Sequence, residues 1–365
     1  MKDKKILLIE PYYGGSHKFF LDGLRQFVGG NFTLLSLPAR KWKMRMQLAA
    51  PWFIEQIRST AVKDRYFDIV LFSSFLDVAV FKAMAAGLQG WNERSRFFTY
   101  FHENQFCYPG FLEKKSNHQF TAINFTSALV SDAIAFNSEF NRSTFFRQVE
   151  KYIGKAVDMD LSESLEQLLS KGTVLYPGLD FREIDKSGRN RAAPGPKTIV
   201  WNHRWEHDKN PEEFFAALYR LQQENIDFRL CVLGQQFKNI PGCFDTAKQK
   251  LERKIVCFGY VEDRGTYYDY LRAGDIVVST SWHEFFGMSV IEAVRAGCVP
   301  VLPNRLSYPE LFDKRYLYEE GCLYDHLKQL LQSDLKLSLE QAKMMTEPYS
   351  WERLRDDYRR WLSSG

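Results

Sequence analysis

Short apolar runs and amphipathic stretches alternate along the whole chain, with periods of two and about 3.6 residues in turn. In the first half, strand-type runs are expected at 5–10, 32–37, 68–73, 97–101, 132–137 and 173–176. Helical spacing fills the gaps at 18–28, 76–86, 119–130 and 138–149. Strand and helix in strict alternation predict a parallel sheet covered on both faces, with right-handed crossovers. A polar stretch rich in Gly and Pro at 186–196 breaks the pattern and is the expected linker. A second wound unit follows, with strands expected at 198–202, 228–233, 255–259, 275–279 and 299–302. Its helices are expected at 211–223, 266–272 and 289–296, with Pro211 suited to a first helical turn and Gly297 to a stop. The last segment opens with Ser350 as a cap and continues as an amphipathic helix able to return to the first domain.

The expected fold class is therefore α/β, with two Rossmann-like domains facing across a cleft. The first spans 1–185 and is completed by the C-terminal helix 350–365; the second spans 197–349. A length of 365 residues agrees with two cores rather than one. Apolar residues at 45% and charged residues at 26% exclude disordered and fibrous classes. No apolar run is long enough to span a bilayer, and the basic start before Ile6 to Ile9 is too short for a signal peptide, so a cytoplasmic protein is expected. Six cysteines, at 107, 231, 243, 257, 298 and 322, show no CxxC spacing and are expected as reduced thiols.

The net charge of +4 alone does not suggest nucleic acid, but charge is locally concentrated. Arg40, Lys41, Lys43 and Arg45 surround Trp42 with no acid nearby, a composition suited to phosphate contacts beside a stacking ring; a solvated loop edge is the alternative. The stretch His283-Glu284-Phe285-Phe286-Gly287-Met288 leads from a strand into a helix that carries Glu292. The open amides of a helix start suit a diphosphate, Gly287 permits close approach, and two carboxylates can chelate sugar hydroxyls. Arg204 and Lys209 sit five apart on another strand-to-helix loop and can clamp one diphosphate, strengthening as the leaving group gains charge. Gly14 and Gly15 form a turn after the first strand, without GxGxxG or GK[ST] spacing. His102, Glu103, Asn104 and Gln105 interrupt an aromatic run at a strand end and offer donors and acceptors for hydroxyls. Asp158-Met159-Asp160 looks like a DxD metal motif but lies in a polar stretch before a helix; no metal or other cofactor is expected.

With Glu284-x-Phe286-Gly287, Glu292, Arg204 and Lys209 assembled, the chain resembles the retaining glycosyltransferases of family 4, which have the GT-B fold. The resemblance implies that Arg204 and Lys209 hold the donor diphosphate, Glu292 binds the ribose, and Glu284 with the amides after Phe286 engages the sugar. It further implies that His102 lies beside the reacting carbon and that Gly259 and Tyr260 contact the base. More narrowly, Tyr13 to His17, Lys41-Trp42 with Arg45, Phe101 to Gln105 and His203 to Pro211 are similar to the tRNA-queuosine mannosyltransferase group. That group implies GDP-mannose as donor, a tRNA as acceptor, and His17, Lys41, Trp42, Arg45, Glu103, Asn104 and Gln105 as acceptor contacts. Pro177-Gly178-Leu179-Asp180, and His203 before Arg204, depart from the broader family. The expected reaction is retaining transfer of a hexose with no protein nucleophile. Another NDP-hexose with a different acceptor, an epimerase or hydrolase of the same fold, and a non-catalytic RNA-binding module remain open alternatives.

Overall fold

The computed structural model describes residues 4–107, 118–186, 195–237 and 239–364, so residues 187–194 of the expected linker lie outside the described residues. The chain divides into two compact units, Met1–Leu179 with Trp351–Gly365, and Asp180–Ser350. The first holds β1 (Lys5–Tyr13), β2 (Asn31–Pro38), β3 (Ile69–Ser73), β4 (Arg96–Phe101), β5 (Ala133–Phe136) and β6 (Gly172–Val174). These form one parallel sheet in the order β2-β1-β3-β4-β5-β6. The second holds β7 (Thr198–Trp201), β8 (Arg229–Leu233), β9 (Ile255–Gly259), β10 (Ile276–Val278), β11 (Val299–Pro303) and β12 (Leu317–Tyr318), again parallel, in the order β12-β11-β10-β7-β8-β9. The α/β class with two parallel Rossmann-like sheets agrees with the sequence; only the two-residue β12 is too short to carry a readable period.

In each sheet the first strand lies inside, and the winding reverses beside it: between β1 and β3 in one unit, between β7 and β10 in the other. Ligands of open parallel sheets bind at such reversals, outside the carboxyl ends of the strands. Alternation in β1 shows why the sheet is buried on both sides. Ile6 and Leu8 pack with Phe20, Leu24, Trp351 and Tyr358, whereas Leu7 and Ile9 pack with Ala49, Phe53, Ile57 and Phe81.

The C-terminal helix Trp351–Ser363 buries Trp351, Leu354, Tyr358, Trp361 and Leu362 in the first unit, at helical spacing. A Cβ on Gly23 would lie 2.0 Å from Trp351 Nε1, and one on Gly178 2.3 Å from Trp351 Cδ2, so two glycines make room for one indole. The Tyr358 hydroxyl donates to the Tyr176 carbonyl at 2.9 Å. Each such buried side chain contributes roughly 1.5–3 kcal/mol.

No helix is expected from sequence around Arg40 to Met46, yet helix α2 (Trp42–Arg58) starts there, after helix α1 (Gly15–Gly23) and β2. Cations in a first turn oppose the helix dipole. The buried stripe Met46, Ala49, Ala50, Phe53, Ile54 and Ile57 outweighs that cost and also accommodates Pro51 within the helix.

Candidate functional site

In the second unit, the turn after β7 and the loop after β10 are sewn together. The Thr280 hydroxyl donates to the Lys209 carbonyl at 2.8 Å, and the Trp282 N–H to the Asp208 carbonyl at 2.8 Å. Asn210 takes a left-handed conformation (φ 48°) so that Pro211 can open the helix Pro211–Gln223, which fixes Lys209 just before its start. The Lys209 ammonium donates to the His283 carbonyl and lies 3.3 Å from both Glu284 Oε2 and Asp208 Oδ2. Its side chain is only 6% exposed, so the cation is held by carboxylates rather than by water. Burial alone would push the Glu284 carboxyl up, but Lys209 and the Phe286 N–H help bring it down to about 2. Burial and Lys209 likewise press His203 down to about 4, leaving it a neutral imidazole 3.3 Å from the Val278 carbonyl.

Arg204 sits on the same turn, 46% exposed, with Nη1 2.9 Å from Glu206 Oε2. An exposed pair of this kind contributes about 0–1 kcal/mol, so the guanidinium exchanges partners at little cost. Gly287 (φ 95°) caps the helix Met288–Arg295, and among the described residues no side chain caps its start, which leaves the first amides open. A Cβ there would be strained and would meet Tyr308 Cε1 at 3.2 Å. Phe286 turns its backbone N–H toward Glu284 at 3.4 Å while its ring is buried against Tyr349. Met288 is half-buried at the helix start.

Glu292 belongs to a neighbouring group. Its carboxylate lies 2.7 Å from Arg264 Nη2 and accepts from the Tyr267 and Tyr268 hydroxyls at 3.4 and 3.3 Å. Burial raises its pKa despite Arg264. Asn202 at the end of β7 donates to the Tyr267 hydroxyl and to the Ser289 carbonyl, tying this group to the switch strand. Gly259 (φ 141°) ends β9, and Tyr260 after it is 60% exposed. Sequence reasoning missed Asp208, Asn202, Arg264, Tyr267 and Tyr268. It also missed Gly234, where a Cβ would lie 1.8 Å from the His203 carbonyl oxygen. Only the local motif around Lys209 carried a signal for any of them.

In the first unit the corresponding corner gathers the ends of β1, β3 and β4. Gly14 is extended, with room for no Cβ beside Ala39, and Gly15 (φ 51°) turns the chain into α1. From α1, His17 Nδ1 reaches Glu10 Oε2 at 3.0 Å, while Nε2 lies 3.5 Å from Glu103 Oε1. Its ring stacks on Phe75 and lies 4.1 Å from the His102 ring. Burial lowers His17, but Glu10 and Glu103 overcome it and hold the imidazolium up to about 10. Burial and His17 together keep His102 neutral, well below its ordinary range.

Two expected acceptor contacts are committed elsewhere. The fully buried Asn104 donates to Asn141 and accepts from the Phe106 N–H, which shapes its own loop. The Trp42 ring packs against Phe75 and Phe120 rather than standing free as a platform, because it is the first apolar position of the α2 core stripe. Lys41 is exposed at the helix cap (φ 52°), and Arg45 is half-buried. Asp160, from the DxD-like stretch, accepts from the Ser162 N–H and hydroxyl before the helix Ser162–Lys171. Among the described residues no helix is long and apolar enough to cross a membrane.

Known proteins match both units. The family described as tRNA-queuosine alpha-mannosyltransferase N-terminal matches residues 5–179, and that described as glycosyl transferases group 1 matches residues 183–363. A tRNA-queuosine alpha-mannosyltransferase from Drosophila melanogaster is 36% identical over 321 residues, 86% of this chain and 83% of its own. A D-inositol 3-phosphate glycosyltransferase from Pseudarthrobacter chlorophenolicus is 29% identical over 147 residues, 36% of this chain and 33% of its own. Among solved structures, a sucrose-phosphate synthase from Thermosynechococcus elongatus aligns at TM-score 0.75 and 12% identity, covering 99% of this chain and 100% of that one. The Anabaena HepE structure with UDP aligns at TM-score 0.71 and 13% identity with the same coverage. These two likenesses concern the fold.

Proposed function

Because the chain belongs to the tRNA-queuosine alpha-mannosyltransferase family, we propose that it moves mannose from GDP-mannose to queuosine in a tRNA with retention of configuration. It is a glycosyltransferase and needs a sugar-nucleotide donor. The observation that carries the proposal is the Lys209–Glu284 pair at the switch point of the second unit, with Arg204 and the open helix start at Gly287 beside it.

In this reading the donor diphosphate meets Arg204, Lys209 and the amides after Gly287. The cations oppose the charge that grows on the leaving phosphate, which is stabilisation made mainly in the transition state. Glu284, ionised and fixed by Lys209, accepts hydrogen bonds from sugar hydroxyls. Glu292 takes the ribose, with Arg264 and the two tyrosines setting its direction, and Gly259 and Tyr260 meet the base. Gly14 and Gly15 let backbone approach the donor closely. Neutral His102 offers a hydrogen bond beside the reacting carbon, and the departing phosphate receives the proton of the attacking hydroxyl. Lys41 and Arg45 contribute positive charge toward the tRNA, and His17, Glu103 and Gln105 face the acceptor nucleoside. A cytoplasmic location suits a tRNA substrate.

The test is incubation with a queuosine-containing anticodon stem-loop and either GDP-mannose or UDP-glucose. Release of GDP with one hexose gained by the stem-loop is the expected result. Donor consumption at equal rate without any stem-loop would instead indicate hydrolysis or epimerisation.

A further inference from the structure

The acceptor corner of the first unit contains more unsatisfied polar groups than a closed core tolerates. Among the described residues, Ser74 Oγ and both ends of the Gln105 side-chain amide are buried without a hydrogen-bond partner, and His17 Nε2 and Glu103 Oε1, also buried, meet only as a long ion pair at 3.5 Å. Ser74 and Gln105 are each 1% exposed and His17 is 3% exposed. A buried polar group left unpaired costs about 1–3 kcal/mol, so such groups mark a place where something else binds. They share one neighbourhood. Asn124 accepts from the Gln105 N–H at 2.8 Å and donates to the Ser74 carbonyl at 3.0 Å, which brings the ends of β3 and β4 to one side chain. Phe75, next to Ser74, stacks on His17, and His17 faces Glu103.

The charges there are fixed by contacts. Glu10 accepts from the Tyr12 N–H at 2.8 Å, from the Ser73 hydroxyl at 3.0 Å and from His17, so its carboxylate is committed within the fold. His17 lies between Glu10 and Glu103 and carries one positive charge against two negative ones. His102 is neutral, so this corner keeps a net negative charge at Glu103, the more exposed of the two acids. Yet the start of α2, whose Trp42 stacks on Phe75, is cationic at Lys41 and Lys43, and the proposed acceptor is a polyanion. A negative pocket repels phosphate and favours a cationic group.

Queuosine supplies such a group: a secondary amine, protonated near neutral pH, joins its deazaguanine to a cyclopentene diol, and the diol carries the hydroxyl to be mannosylated. Resting on the function proposed above, we infer that Glu103, oriented by His17, pairs with the secondary ammonium of the acceptor and separates queuosine from ordinary guanosine. The Gln105 amide and the Ser74 hydroxyl supply a donor and acceptors for the diol. Glu103 is thus a specificity-determining residue for the transfer.

The experiment compares kcat/KM on two anticodon stem-loops, one carrying queuosine and one carrying queuosine acetylated on its amine, which removes the charge. One charge-assisted hydrogen bond predicts that wild type prefers the charged stem-loop by roughly 10- to 100-fold beyond any steric effect. The acetyl group is equally bulky for every variant, so a change in the ratio reports the loss of the charged N–H donors. Glu103→Gln should bring the ratio down by roughly that factor, and Glu103→Asp, which keeps the carboxylate, should retain most of it. An unchanged ratio in Glu103→Gln overturns the proposal while leaving the transferase function standing. Absence of transfer to the queuosine stem-loop by wild type overturns both.

Discussion

At the scale of single residues, the two candidate corners differ in how their charges are held, and the consequences for mutants differ accordingly. Arg204 is half-exposed and pairs with Glu206 at the surface, so Arg204→Ala is expected to lower kcat/KM by roughly 10²- to 10³-fold with little change in melting temperature. Lys209→Met should unfold more easily, by about 3–5 kcal/mol, because Glu284 and Asp208 would lose a buried cation. Urea unfolding alongside steady-state kinetics separates the two cases. The loop position of Glu284 suggests from sequence that Glu284→Gln is harmless to folding. Its pairing with Lys209 changes that expectation to a measurable loss of stability together with loss of transfer. His17 yields a pH prediction. Its raised pKa means stability that is fully present below its ordinary value of 6.5 and lost as pH rises through about 10. Melting temperature should fall across that window in wild type, and His17→Gln should lack this component; equal slopes would show that the imidazolium is not held in the fold.

At the scale of elements, the strands and most helices were legible because buried parallel strands are continuous apolar runs and helices keep their stripe. Helix α2 was not, since Arg40 to Arg45 argue against a helix start and only the packing of Met46, Phe53 and Ile57 reveals it. The same packing leaves Trp42 partly buried, with its ring against Phe75 and Phe120. Glycines show the limit from another side: Gly23 and Gly178 look ordinary in sequence, yet both are shaped by Trp351 from the far end of the chain. Gly23→Ala should therefore cost about 1–3 kcal/mol. Gly87→Ala, whose Cβ would meet only the Met84 carbonyl at 3.8 Å, should be near neutral, and denaturant titration of both variants distinguishes a specific clash from a general glycine effect.

At the scale of the whole molecule, the chain crosses from the first unit to the second and then returns, so its last helix is part of the first core. A chain ending at residue 350 should show fast hydrogen exchange in β1, β3 and β4, with β7, β8 and β10 still protected; uniform exchange in both units would contradict the division. The motif residues Arg204, Lys209 and Glu284 were readable because they fall on loops beside the switch strand, where local sequence and topology coincide. Glu10, Ser74 and Asn124 were not, since they meet only through strands and a helix far apart in sequence. The central claim is that the donor lies at the reversal between β7 and β10. A crystal structure with an unreactive GDP-mannose analogue tests it most directly: the account predicts the diphosphate on Arg204, Lys209 and the Gly287 helix start with the ribose on Glu292. A nucleotide bound away from these residues would contradict it.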